Sequence, residues 1–497
     1  MRLERAVAAA PPVRDFYFTP SRTSALGLEG VIRELKQRGI SCRSFNFPRL
    51  NPRGSSIPMP EEYNYLKPFI VEGERGPLSF FTGRKLFGPP FHDAAGKIAE
   101  ENPDIIFLSL FAWTYADDVL ELAKHLRKRL GYSVPIIIGG AGASVLPRYF
   151  IQTKLFDLVL TGETETSLGD LLDHLDKDLP LENFQEKNEL TDEPAPLFSF
   201  TRDSKGNQFL TLALSRGCPK MCRFCSNFLT QGRRFRLVDL PSLEKEWEKI
   251  PDDKEKPVHI NLEDDNLLYH KEYFRDFLSR CKTRFPDATF SADNGLDYTL
   301  LTEDFTDYLI ERGFRSFSFS LGSADPTVLK EEKRPVDLEK LETLLDRINN
   351  KNIPVTTFFI AGLPGDRAEG VLRTLLYLHR LPTRSGISLF YPVPGLPRFE
   401  NPELFLTNPP ALCSGSSAYP WSRSLTTEEM VTAFRLSRLS NFLKARNVSD
   451  EEKQLRDIIL KTRTLHTFAG KNKNIIPLRN LNREMCQIFF KELSIDD

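Results

Sequence analysis

The chain has no long apolar run. Its longest, Ile105 to Trp113, falls far short of the roughly 20 residues a bilayer-crossing helix needs, so no membrane span is expected. Charge of one sign is missing too. The 67 Lys and Arg stand against 68 Asp and Glu, leaving no net field to draw in nucleic acid or an anionic surface. Cysteine is scarce, with seven in 497 residues, which does not suggest a disulfide framework. Arg2 and Arg5 precede only a short apolar stretch, so no signal peptide is expected and the cytoplasm is the expected location. There are no repeats and no low-complexity tracts. What remains is 40% hydrophobic and 27% charged, with length enough for two or three domains.

Over residues 1–180, short apolar runs alternate with helical patterns. Asp15–Thr19, Ile105–Leu110, Val134–Ile138 and Leu155–Leu160 read as strands. Leu26–Gln37, Asp117–Leu130 and Ser167–Leu175 read as helices, the first two closed by Gly39 and Gly131. Apolar strands separated by amphipathic helices predict an α/β, doubly wound parallel sheet covered on both faces. From Asn51 to Phe91 the chain is irregular and rich in rings, among them Tyr63, Tyr65, Phe69, Phe80, Phe81 and Phe87. A loop this long is functional or disordered, and its aromatic content argues against disorder. Either the rings pin the loop to its own domain, or they form a lid over a cofactor or substrate.

Residues 181–207 are polar, with Pro194, Pro196 and the turn Ser204-Lys205-Gly206-Asn207, and read as a linker. A second series spans residues 208–400. Its strands are Phe209–Leu214, Val258–Leu262, Thr289–Ala292, Ser316–Leu321, Val355–Ile360 and Ile387–Phe390. Helical patterns at Lys271–Arg284, Glu303–Arg312 and Leu338–Asn349 fall between them. Six such units in a row predict a partial (β/α)6 barrel with active groups at the C-terminal strand ends. Residues 401–497 show no strand pattern. Thr426-Thr427 before Glu428-Glu429 marks a helix start, and Glu429–Ala445 has helical periodicity, so a helical C-terminal region is expected.

Ser215-Arg216-Gly217-Cys218-Pro219-Lys220-Met221-Cys222-Arg223-Phe224-Cys225 follows the first strand of the second series. Three thiolates on one tight loop can bind three corners of a four-iron cube and leave one iron open for chemistry. A structural zinc site or a closed electron-transfer cluster would need a fourth ligand. No Cys or His lies within thirty residues downstream, although His259 could come from a distant strand. Cys42, Cys281, Cys413 and Cys486 read as small buried hydrophobes.

This Cys-x3-Cys-x2-Cys segment, with the aromatic Phe224 before its last cysteine, resembles the radical S-adenosylmethionine (SAM) superfamily. The resemblance implies a [4Fe-4S] cluster on Cys218, Cys222 and Cys225, with SAM chelating the open iron and yielding a 5′-deoxyadenosyl radical. Later segments match the family in order. Glu263, Asp264 and Asp265 fall where it meets the SAM amine, although acids there also cap turns. Asn294 lies in a ribose- or substrate-facing turn. Ser320, Gly322 and Ser323 match the ribose-contacting turn, and Gly362 the adenine contact. Tyr391-Pro392-Val393-Pro394-Gly395 closes the sixth strand.

Ser109, the pair Gly139-Gly140, and Thr161-Gly162-Glu163-Thr164-Glu165 resemble the cobalamin (B12)-binding domain often fused ahead of such barrels. Glycine there lets backbone approach the nucleotide tail. An ordinary Rossmann-like domain is the alternative. The family's Asp-x-His-x-x-Gly motif is missing: Thr19 to Gly27 contains no histidine, so bound cobalt would lack a histidine below it. Arg216, Arg223, Arg233, Arg234 and Arg236 surround the cysteine loop and read as partners of an anionic cluster and the SAM carboxylate.

The expected function is that of a cobalamin-dependent radical SAM enzyme, foremost a C-methyltransferase. The alternatives are cyclisation or rearrangement without methyl transfer, or a non-catalytic iron–sulfur scaffold. The expected partners are a small-molecule, lipid or peptide substrate and an external low-potential electron donor, with no nucleic acid. No catalytic residue is singled out.

Overall fold

The sequence Arg5–Ala10 is alanine-rich, and it forms an interior strand (β1) of a five-stranded parallel sheet. Five of its six residues are buried, because helices cover both faces and small side chains let them pack close. The computed structural model describes residues 3–18, 25–81, 83–177, 179–186, 190–203, 205–250 and 256–493. They form two units, one of Met1–Ile57, Lys85–Asn294 and Val393–Cys413, the other of Pro58–Arg84, Gly295–Pro392 and Ser414–Asp497.

In the first unit, β1 is followed by α1 (Leu26–Gln37), β2 (Ser41–Asn46), α2 (Phe91–Glu100), β3 (Ile105–Ser109), α3 (Ala116–Leu130), β4 (Ile136–Gly139), β5 (Leu158–Val159) and α4 (Thr164–Asp176). The strands lie in the order β2-β1-β3-β4-β5, all parallel. Ala6, Ala8, Ile105, Phe107 and Ile137 build the core against Leu28, Ile32 and Leu35 of α1 and Leu168, Leu171 and Leu172 of α4. The expected first strand, Asp15–Thr19, is not part of this sheet. Val13–Asp15 instead pairs with Lys85–Phe87 in a small separate sheet, and Thr19 lies outside the described residues.

The same unit holds the start of the second series: β6 (Leu197–Arg202), β7 (Gln208–Ala213), β8 (Val258–Leu262), α5 (Lys271–Arg284) and β9 (Thr289–Ser291). Their order is β9-β8-β7-β6, with β6 antiparallel to β7 and the rest parallel. Part of the stretch read as linker is therefore an edge strand. Ser204 of the turn expected there lies outside the described residues.

The second unit continues with β10 (Phe317–Gly322), α6 (Leu338–Asn349), β11 (Val355–Ala361), α7 (Ala368–Arg380) and β12 (Arg384–Leu389), a three-stranded parallel sheet. Helix α8 (Thr427–Lys444) starts at a capping box of Thr426 and Glu429, as its sequence predicts. The C-terminal region is mainly helical, but His466–Ala469 (β13) and Asn474–Pro477 (β14) form a hairpin that the sequence reading missed. The ring-rich loop is anchored here: Tyr65 donates to the Ser417 carbonyl at 2.7 Å, and Phe80 and Phe81 pack on Phe434 of α8. The rings thus pin residues 58–84 to the C-terminal region rather than to the N-terminal sheet. Among the described residues no helix is long and apolar enough to cross a membrane.

Candidate active site

In a sheet ordered 2-1-3-4-5, the connections leave β1 and β3 in opposite directions and open a crevice at their carboxyl ends. A cavity of about 440 Å³ lies there. Ala10, Ser109, Gly139 and Gly140 line it from the strand ends, Gly27 and Val31 from α1, and Thr161, Gly162 and Glu163 from the turn after β5. Ser215, Arg216, Glu263, Asp265 and Asn294 of the second series also line it. The two glycines after β4 differ in cause. Gly140 has φ +100°, and a Cβ on it would lie 2.6 Å from the Leu110 carbonyl oxygen, so the fold itself requires glycine. At Gly139 a Cβ would meet the Leu160 carbonyl oxygen at an ordinary 3.5 Å. The fold therefore does not itself demand glycine at this position, which lines the cavity.

The cysteine loop leaves the end of β7. Gly217 has φ +80°, and a Cβ there would collide with the Arg234 carbonyl oxygen. Its N–H donates to Asp265 Oδ2 at 2.9 Å. Cys222 is buried, Cys218 half-buried and Cys225 exposed at the loop surface. The surrounding protein holds the Cys218 thiol above its ordinary pKa, and pushes that of Cys225 up to about 11, with further contributions from Asp265 and the neighbouring thiols. Among the described residues no three His, Cys, Asp or Glu side chains converge on one ion position. A four-iron cube asks for something else, since each thiolate meets a different iron.

The three acids after β8 divide. Asp264 is turned beneath the loop, where its Oδ1 accepts from Leu214 N at 2.9 Å and Ser215 Oγ at 2.6 Å, and burial pushes its pKa up to about 7. Asp265 holds Gly217, and burial raises it too. Glu263 lines the cavity, and its backbone N–H bonds the Leu212 carbonyl at 2.8 Å. Asp264, expected as a SAM contact, thus braces the loop from behind.

A model of the B12 binding domain matches residues 86–172, and one of the radical SAM superfamily matches residues 212–378. The chain is a B12-binding radical SAM protein. Its domains imply cobalamin, SAM and a four-iron cluster, and the residues fit them: a crevice lined by Gly139 and Gly140 at the strand ends, and three thiols on one loop with no fourth. The chain is 24% identical over 316 residues to an uncharacterised methyltransferase of Pyrococcus horikoshii, covering 59% of this chain and 67% of that one. It is 23% identical over 341 residues to cytidylyl-2-hydroxyethylphosphonate methyltransferase of Streptomyces wedmorensis, covering 57% and 63%. It thus spans about two thirds of these relatives. The fold is similar to that of the radical SAM methyltransferase TsrM of Kitasatospora setae with cobalamin and a [4Fe-4S] cluster bound. The TM-score is 0.59 at 12% identity, covering 80% of this chain and 77% of that one.

Most arginines of this B12-binding radical SAM protein near the loop are held by protein groups, contrary to their reading as cluster and SAM partners. Arg216 bonds both Glu165 oxygens at 2.9 and 2.5 Å, and Arg236 bonds both Glu163 oxygens at 2.7 and 2.8 Å. Arg234 pairs with Asp192, and Arg233 donates to the Lys220 carbonyl at 2.7 Å while stacking on Phe228. Burial alone would raise Glu165, but Arg216 holds its carboxyl below the ordinary range. The Arg216–Glu165 and Arg236–Glu163 pairs join residues 51 and 73 positions apart, so no local pattern announces them. Phe224 is half-buried within the loop. Among the described residues no histidine lines the cavity, and residues 19–24 lie outside that set.

In the second unit, Ser320 and Gly322 end β10, and Arg334 donates to the Ser320 carbonyl at 2.5 Å. The Ser323 hydroxyl is buried, 3.4 Å from Thr374 Oγ1 of α7, and accepts from Asp325 N–H at 3.0 Å, so it serves the turn. Gly362 has φ +89° after β11, and its N–H bonds Asp366, whose carboxyl burial pushes up to about 6.

Proposed function

We propose that this chain is a cobalamin-dependent radical SAM methyltransferase acting on an unactivated carbon of a small molecule. One observation carries the reading: the crevice of the B12-binding sheet is lined also by Ser215, Arg216, Glu263 and Asp265 from the strand ends that bear the cysteine loop. A cofactor tail in that crevice would lie beside the cluster-bearing loop, as methyl transfer between two cofactors requires. The small-molecule substrate follows the name of the Streptomyces relative, which methylates a cytidylylated phosphonate.

In this reading Cys218, Cys222 and Cys225 hold the cluster, and Glu263 and Asn294 meet SAM. The cluster supplies the electron that makes SAM a radical source, and cobalamin supplies a methyl carrier. Ser109, Gly139, Gly140 and Gly162 would form the walls around the cobalamin tail, with no histidine below cobalt. Ser320, Gly322 and Gly362 are proposed as nucleoside contacts. The protein's own work is to fix the loop by Asp264 and Asp265 and to keep water from the site.

The test is anaerobic incubation of reconstituted protein with SAM, cobalamin and a low-potential reductant, with chromatography of the nucleosides. The expected product is 5′-deoxyadenosine, lost in Cys222→Ala. S-adenosylhomocysteine formed in step with substrate methylation supports methyl transfer. Substrate turnover without it would instead favour cyclisation or rearrangement. A cluster that never binds SAM would leave a scaffold.

A further inference from the structure

Arg216 and Arg236 face each other. Ser215–Arg216 pairs antiparallel with Arg236–Leu237, and in that register Arg216 stands opposite Arg236. This two-residue ladder closes the base of the loop, residues 217–235, that carries the cysteines. Like charges directly across a ladder repel, and both arginines are buried, so the pairing holds only with compensating anions.

Those anions come from the turn after β5 and from the first turn of α4 that follows it. Glu163 takes both terminal nitrogens of Arg236 and lies 3.6 Å from Arg216. Glu165 takes Arg216 bidentately. Two cations and two anions form one closed network. The turn that supplies Glu163 and leads into α4 is also a cavity wall, through Thr161, Gly162 and Glu163. Its position is set by Glu186, which accepts from Thr161 N–H at 2.8 Å and from its hydroxyl at 2.6 Å.

We infer that Glu163 and Glu165 are positioning residues for the cysteine loop, and that through them occupancy of the cavity and occupancy of the loop favour each other. The inference rests on the reading above that the cavity takes cobalamin and the loop takes a cluster. An occupant that fixes the turn fixes the two carboxylates. The carboxylates in turn hold the arginine ladder closed and the three cysteines in register. Linkage makes the effect reciprocal: the assembled cluster must tighten cobalamin by the factor by which cobalamin tightens the cluster.

The test uses the full chain and aquacobalamin as probe, titrated by absorbance into cluster-free protein and into anaerobically reconstituted protein. The wild type is expected to bind at least about fivefold more tightly when the cluster is present. In Glu163→Gln and Glu165→Gln that ratio falls toward one, and the Mössbauer spectrum of the 57Fe-reconstituted cluster, which responds to aquacobalamin in the wild type, ceases to respond. A purely structural role would weaken both affinities together and leave the ratio unchanged. That result, or a wild type whose two sites fill independently, overturns the inference, the second without need of any variant. A wild type that binds no aquacobalamin or assembles no cluster overturns the functional reading itself, and the inference with it.

Discussion

Arg435 on α8 and Glu74 in the ring-rich loop form an ion pair at 2.5 Å with no exposed surface on either side chain, across 361 positions of sequence. Arg435 also donates to the Phe69 and Leu78 carbonyls at 2.9 Å, so one guanidinium gathers three points of the loop. The pair explains how an irregular segment stays ordered.

Removing the cation strands a buried carboxylate and two carbonyls. Arg435→Met is therefore expected to cost about 3–5 kcal/mol. The double variant Glu74→Leu with Arg435→Met removes both charges and should cost less than the single change. Denaturant unfolding checks the ranking, and limited proteolysis should cut first within residues 58–84 of the single variant.

Gly139 and Gly140 are neighbours with opposite expectations. Gly140→Ala forces a Cβ to 2.6 Å from the Leu110 carbonyl oxygen at a φ of +100°, and should give unstable or insoluble protein. Gly139→Ala adds a methyl in ordinary contact with Leu160, and should keep wild-type stability within about 1 kcal/mol. The same methyl narrows the cavity wall, so its aquacobalamin affinity should fall by roughly tenfold. Thermal unfolding and an absorbance titration, run side by side, separate the two.

How far these features were legible in sequence depends on range. The cysteine loop, the six strands of the second series and the capping box at Thr426 are local patterns, and each was readable. Arg5–Ala10 escaped because an alanine run carries a helical preference that burial on both faces overrides. Ser41–Asn46 escaped because an edge strand with polar residues lacks an apolar signature. The arginines were visible, but their partners Glu163 and Glu165 are contacts made by folding. Charge counting therefore assigned them to the cofactors. Asp264 shows the same limit, since neighbouring acids look alike until the loop covers one of them.

Among the described residues no histidine lines the cavity, and this carries its own expectation. Cobalt(II) cobalamin bound to this protein should show a paramagnetic resonance spectrum with no splitting from a protein nitrogen. Substituting His92, the first histidine in the chain and an exposed one, should leave that spectrum unchanged. A nitrogen splitting that disappears in a His92→Ala variant would contradict this account of the cavity.

Asp264 makes the pH dependence of the cluster-free protein predictable in sign. In the unfolded chain its carboxyl titrates near the ordinary value of about 3.9. In the fold, burial pushes it up to about 7, because Oδ1 is bonded while Oδ2 has no hydrogen-bond partner. Between those two values the folded state binds the proton that the unfolded state has released. Stability from this group therefore falls as pH rises from about 4 to about 7, and is level above that. Asp264→Asn keeps an oxygen for Leu214 and Ser215 and removes the titration. At about 1.4 kcal/mol per pKa unit, the variant should be more stable than the wild type by about 1.5 kcal/mol at pH 5 and by about 4 kcal/mol at pH 8. Thermal unfolding of both proteins at the two pH values decides it. An equal difference at pH 5 and pH 8 would mean that Asp264 is ionised in the fold, and that something other than burial sets the loop above it.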